Sequence, residues 1–203
     1  MLNEERIFFQ SGDLKMEGLF ADAGVERGVV VSHPNPMMGG TMRNNVVQSL
    51  ILAFYENGFS TLRFNFRGVG RSEGDFDEGA GEQDDLDSAV SFLKTKGVKA
   101  VSLVGYSFGA WVTAKYLQTG PSVDWVVLVA PPVSVYRFPK ETIAGQVDLI
   151  ICGDRDAFCL AEDTQSFAEQ VQSKVTLIPG ADHFFVGKED QLIKILEKKR
   201  FSP

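Results

Sequence analysis

The sequence predicts a doubly wound α/β domain: a mostly parallel eight-stranded sheet, helices on both faces, and an antiparallel hairpin at the N-terminus. Three observations carry that expectation. Short strand-like runs alternate with longer helix-like ones, the pattern of parallel strands joined by crossover helices. Several short runs are apolar throughout, as strands covered on both faces must be. Finally, 203 residues with 44% hydrophobic and 23% charged content suffice for one well-cored domain, so residues 1–203 are read as a single domain.

The first two apolar segments, 6–10 and 14–20, are joined by "SGD" and read as the hairpin. The parallel strands follow at "GVVVSH" (28–33), "FSTLRFNF" (59–66), "AVSLVG" (100–105), "WVVLVA" (125–130), "VDLIICG" (147–153) and "VTLIPG" (175–180). Helices are expected over 43–56, 83–96, 108–118, 160–172 and 188–199. In the first, Val46, Leu50, Leu52 and Phe54 mark an apolar face; in the last, Leu192, Ile195 and Leu196 recur at helical spacing. The stretch "GVGRSEGDFDEGAGEQDD" (68–85) is rich in glycine and acid and reads as a long surface loop running into a helix. Its glycines follow a strand, but the spacing is G-x-G-x-x-x-G and acids stand where a phosphate-binding helix would begin, which disfavours a dinucleotide loop. Arg67 and Arg71 are expected to brace this loop through nearby acids.

Charge and cysteine content narrow the function classes. A net charge of −7 and a pI of about 4.9 disfavour a nucleic-acid partner, which needs a basic face, and docking on anionic membrane. No apolar stretch approaches the roughly 18 residues of a membrane span. The opening "MLNEERIFFQSG" lacks the pattern of a signal peptide, so a cytoplasmic setting is expected. Cys152 and Cys159 then remain thiols, Cys152 as a small buried hydrophobe. Two cysteines and two histidines at these spacings form no zinc motif; neither metal nor cofactor is expected.

Ligands bind an open α/β sheet at the carboxyl ends of its parallel strands. Three chemically capable residues fall there. Ser107 follows 100–105 in "GYSFG", a serine between glycines on a strand-to-helix turn; the motif alone is weak, but here it has a strand before and a helix after. His183, in "PGADHFF", follows 175–180 and can supply the base that a serine nucleophile needs. After 147–153 come Asp154 and Asp156. Asp154 is placed to tie the turn to its own backbone, and Asp156 to reach a neighbouring loop as the acid that orients the base. Asp182 is set aside because adjacent side chains diverge. His33 lies between Ser32 and Pro34, where another role fits. In "HPNPMMGG" (33–40) two prolines lack an N–H, which leaves Asn35 as the one main-chain donor between His33 and Met37. With the Phe108 N–H it would make an oxyanion hole, helped by the positive end of the helix that starts there. Met37, Met38, Tyr106, Phe158 and Phe184 are expected to border the site and to favour an apolar acyl group.

In order along the chain, "HPNPMMGG", "RFNFRGVGRSEG", "GYSFGA", "GDRD" and "GADHFF" resemble the α/β-hydrolase superfamily, and within it the small lidless hydrolases related to dienelactone hydrolase. The resemblance spans essentially the whole chain. It implies an α/β-hydrolase fold, with Ser107 as nucleophile, Asp156 as acid, His183 as base, and Asn35 and Phe108 at the oxyanion site. Dienelactone hydrolases carry cysteine at the nucleophile position; serine here implies a serine hydrolase of small acyl esters, a carboxylesterase or thioesterase, with peptidase, acyltransferase and non-catalytic binding as alternatives. The family's cap, where present, follows the strand after the nucleophile helix. In this chain that interval is "PPVSVYRFPKETIAGQ" (131–146), too short for a folded cap. Oligomeric state is left open.

Overall fold

The computed structural model describes residues 2–197. The hairpin pairs β1 (Glu5–Ser11) with β2 (Leu14–Ala21), antiparallel, through a turn at Gly12, whose φ of 58° suits glycine. Then come β3 (Arg27–Ser32), α1 (Asn45–Glu56), β4 (Ser60–Phe64), α2 (Gly81–Thr95), β5 (Ala100–Tyr106) and α3 (Phe108–Leu117). The chain continues with β6 (Val126–Val129), β7 (Leu149–Gly153), α4 (Ala161–Gln170), β8 (Lys174–Ile178) and α5 (Glu189–Glu197). All eight expected strands and five expected helices are present, with ends shifted by a few residues. Lys198 and Lys199, expected to close the last helix, lie outside the described residues.

The strands form one sheet in the order β1-β2-β4-β3-β5-β6-β7-β8. From β4 to β8 every pairing is parallel, and only β1 and β2 run against their neighbours. Alternate strand residues supply two cores. Val30, Leu62, Leu103 and Leu128 pack with α2, α3 and α4 on one face. Val29, Val31, Val104 and Val127 pack with α1 and α5 on the other. Both sides of each central strand are therefore buried, which is why those segments read as continuous apolar runs. Among the described residues no helix is long and apolar enough to cross a membrane.

The hairpin does more than cover an edge. Glu17 on β2 is 4% exposed, accepts hydrogen bonds from Asn65 Nδ2 and the Arg71 N–H at 3.0 Å each, and pairs with Arg6. Asp85 on α2 accepts from the Arg67 guanidinium at 2.8 and 3.1 Å, from the Arg67 N–H at 3.0 Å and from Ser11 Oγ at 2.8 Å. The long loop after β4 is thus pinned by two buried carboxylates, each bonded on both of its oxygens. Arg67 bonds its acid by side chain, as expected; Arg71 does so through its main chain, so that part of the expectation is corrected.

His33 is fully buried. Its Nε2 accepts the Phe66 N–H at 3.0 Å and its Nδ1 donates to the Pro34 carbonyl at 2.7 Å. Those bonds require the neutral ring, and burial lowers its pKa from 6.5 to about 4, against a smaller opposing effect of the Pro34 bond. The depressed value fixes the sign of the linkage. Between pH 6.5 and 4 the unfolded chain binds a proton that the folded chain does not, so stability falls as pH drops, by about 3 kcal/mol at pH 4 from this residue alone. Denaturant titrations at pH 7, 5.5 and 4.5 should show that decline, and His33→Gln, which cannot titrate, should show a shallower one.

Candidate active site

Ser107 stands between β5 and α3 with φ 55° and ψ −117°, a conformation disfavoured for any residue with a Cβ. Its N–H is held by the Val129 carbonyl at 2.9 Å, and its carbonyl accepts from Ala110 and Trp111. The flanking glycines make this turn possible. A Cβ on Gly105 would lie 2.4 Å from the Gly109 carbonyl oxygen, and a Cβ on Gly109 would lie 2.6 Å from the Ser32 carbonyl oxygen. The helix therefore crosses the strand end so closely that no methyl fits, and Ser107 is pushed to the carboxyl edge of the sheet.

The loops after β7 and β8 bring the other two groups. Ser107 Oγ lies 2.8 Å from His183 Nε2, and His183 Nδ1 lies 2.7 Å from Asp156 Oδ2. The other Asp156 oxygen accepts the N–H groups of Phe158 and Cys159, at 2.8 and 3.0 Å. Burial pushes the Asp156 carboxyl up, but the His183 bond, the Cys159 thiol and the Phe158 N–H together hold it below its ordinary value. His183 is oriented from behind: the Tyr106 hydroxyl donates to its main-chain carbonyl at 2.9 Å. Burial pushes the Tyr106 phenol up, keeping it a donor. Asp154 does not tie its own turn. Its Oδ1 accepts the Gly180 N–H at 2.6 Å, clamping the β7 loop to the β8 loop, which corrects the sequence-based expectation. Asp182 accepts from the Phe184 N–H and stays local.

The loop after β3 is held at four points on one residue. Asn35 Oδ1 accepts the Met37 N–H at 2.8 Å, and its carbonyl accepts from Met38 and Gly40 at 3.1 and 3.0 Å. Its Nδ2 donates to the Tyr136 hydroxyl at 2.9 Å. Its own N–H has no acceptor among the described residues, and the same is true of the Phe108 N–H at the start of α3.

Beside Ser107 lies a cavity of about 270 Å³, bordered by Asn35, Met38, Tyr106, Phe158, His183 and Phe184 among others. Met37 is not among its walls, so its expected place in the site is corrected. Tyr106 borders the cavity, but its hydroxyl is already engaged with the His183 loop. Sequence reasoning missed Asn44, Pro132, Val135 and Tyr136, which also line it. Three of these come from 131–146, a stretch without periodicity that was informative only through its length.

Cys152, Asp156 and Cys159 place donor atoms within 4.8 Å of one another, all buried. The set does not fit a metal. Both Asp156 oxygens are engaged, and burial pushes the Cys159 thiol up, away from the thiolate a metal needs. Both cysteines are free.

Comparison with known proteins gives the family and the fold. The family model described as "Serine aminopeptidase, S33" matches residues 29–147. An alpha-beta serine hydrolase homologue from Coxiella burnetii is 33% identical, with 98% of this chain and 97% of that chain covered and a TM-score of 0.89. A Xanthomonas campestris a/b serine hydrolase without lid is 27% identical over 96% of this chain and 92% of that one, with a TM-score of 0.84. An uncharacterised protein of Rickettsia prowazekii is 31% identical across 94% of this chain and 86% of its own length. The chain belongs to the serine aminopeptidase family of the α/β-hydrolase superfamily, and its fold is that of the lidless serine hydrolases.

The closeness of strand and helix yields a direct expectation. Gly105→Ala forces a methyl against the α3 backbone and should cost about 3 kcal/mol or more, with activity lost in whatever fraction still folds. Thermal melting and an ester assay on the same preparation check it; an active variant of unchanged stability would mean the elbow is looser than these distances indicate.

Proposed function

We propose that this hydrolase cleaves neutral acyl esters, oxygen esters or thioesters, through an acyl-enzyme on Ser107. The observation that carries the reading is the cavity beside Ser107, which among the described residues no Asp, Glu, Lys or Arg side chain lines. An aminopeptidase must hold a free α-ammonium group, and a carboxylate in the wall is the usual means; no Asp or Glu stands there. Apolar walls instead favour an uncharged acyl group.

In this reading His183 Nε2 takes the Ser107 proton as Oγ attacks the ester carbonyl. The carbonyl oxygen becomes negative and is held by the Asn35 and Phe108 N–H groups. Asp156 stabilises the imidazolium and keeps the ring turned toward Ser107. His183 then gives the proton to the departing alkoxide or thiolate. In the second half a water molecule loses its proton to His183 and attacks the acyl-enzyme, and Ser107 recovers its proton as the acid leaves. The shape of the substrate follows from the absence of a cap: the mouth is open, so soluble monomers reach Ser107 directly. Residues 131–146, expected to be too short for a cap, form no helix or strand.

Two experiments test the reading. A sulfonyl fluoride or organophosphate should add once per chain, at Ser107, by intact mass and peptide mapping; an adduct elsewhere, or none on folded protein, argues against the triad. On the same protein, p-nitrophenyl esters should be turned over far faster than aminoacyl anilides, and the reverse order would move the assignment to a peptidase.

The two aspartates should separate kinetically. Asp156→Asn removes the charge that stabilises the imidazolium, and comparable changes lower kcat by about two to four orders of magnitude with little effect on KM. Asp154→Asn keeps a side-chain acceptor for the Gly180 N–H and should lose less than about ten-fold. The lowered pKa of Asp156 also sets a sign. The stability it contributes is present above the ordinary carboxylate range and is lost as pH falls through the depressed value. Asp156→Asn should therefore lose less stability on acidification than the parent, as read by denaturant titration.

A further inference from the structure

Tyr136 connects the two main-chain donors of the oxyanion site. Its hydroxyl oxygen accepts the Asn35 Nδ2 hydrogen bond at 2.9 Å. Its ring meets the Phe108 ring edge-on, with centroids 6.1 Å apart at 64°. The opposite support is Trp111, stacked on Tyr136 at 4.6 Å and 21°, whose indole N–H donates to the next carbonyl, Arg137, at 3.0 Å. The Tyr136 N–H donates to the Pro132 carbonyl at 2.9 Å. The ring is therefore held by packing on α3 and by bonds on both sides of it in the chain.

The hydroxyl has one more bond to make. A phenol can donate once as well as accept, and among the described residues the Tyr136 proton has no acceptor. The group borders the same cavity as Asn35 and Ser107, so the proton is available to whatever fills it. Accepting a hydrogen bond from an amide also makes the phenol a better donor, because bonds in a chain polarise one another. A negatively charged oxygen has room for three donors, and the two main-chain N–H groups leave one position open.

We propose that Tyr136 is a third donor to the oxyanion: its O–H bonds the ester carbonyl oxygen as that oxygen takes on charge, beside the N–H groups of Asn35 and Phe108. No proton is transferred; the bond strengthens as the charge develops. The proposal rests on the assignment of Ser107 as nucleophile and adds a side-chain donor from the segment where relatives with a cap carry their insertion. It makes this segment part of the catalytic wall instead of a plain connection.

The test is a crystal structure of the protein trapped with an alkyl phosphonate, paired with kinetics of Tyr136→Phe. In the adduct the Tyr136 hydroxyl should lie within about 3.2 Å of the phosphonyl oxygen held by the Asn35 and Phe108 N–H groups. A separation beyond about 3.5 Å in an adduct formed at Ser107 overturns the role of Tyr136 alone; failure to form that adduct on folded protein removes the Ser107 assignment with it. Tyr136→Phe keeps the stack on Trp111, and its kcat should fall about 10- to 100-fold with KM within about two-fold. Unchanged kcat overturns the proposal. So does an adduct of the Phe variant in which the Asn35 N–H has moved off the oxygen, since Tyr136 would then act only by positioning Asn35.

Discussion

The close crossing of α3 over the end of β5 is the constraint on which the carboxyl edge of this sheet depends. Gly105 and Gly109 let the two backbones approach to distances a methyl group would forbid. That approach forces Ser107 into a backbone region it would not otherwise occupy, and the cost, on the order of 1–3 kcal/mol for such a residue, is carried by the packed sheet on either side. The bond from the Ser107 N–H to the Val129 carbonyl and the buried Phe108 ring keep the turn from relaxing. A flexible loop could present a serine hydroxyl, but it could not also hold the first N–H of a helix at a fixed angle to it.

Around that turn the loops are tied to one another more than to solvent. Asp154 joins the β7 loop to the β8 loop, Tyr106 joins the elbow to the His183 carbonyl, and Asn35 is bonded through its side chain and carbonyl together. Each bond is worth only about 1 kcal/mol net, but each removes a way for the site to loosen. A site assembled this way needs no closing element to acquire its geometry, which fits an architecture without a lid. Buried charge follows the same economy: Asp85, Glu17 and Asp156 each have several donors.

The mouth of the cavity has a different character. Met37, Met38, Val135, Leu160, Phe184 and Val186, most of the large apolar side chains left exposed, lie on loops that follow the parallel strands. Single exposed hydrophobes need no explanation, but here most of them gather on the loops at one edge of the sheet. Three of them, Met38, Val135 and Phe184, also line the cavity.

The order of strands and helices was legible in the sequence because hydrophobic period is a local property. A run such as Val29–Val31 is apolar on both faces whatever surrounds it. The serine motif was legible for a related reason, since glycine on both sides of a serine records a backbone contact in the sequence itself. That Asp156 and not Asp154 reaches His183 was legible because distance from the strand end limits reach, whereas the bond Asp154 makes to Gly180 was not. What the tertiary structure alone decided were contacts between residues far apart in the chain: Tyr136 with Asn35, Tyr106 with the His183 carbonyl, Asp85 with Ser11. It also decided that Met38 lines the cavity and Met37 does not. Neighbouring residues of one short turn share composition and polarity, and only the packing of the loop against the rest of the domain settles which side chain points in.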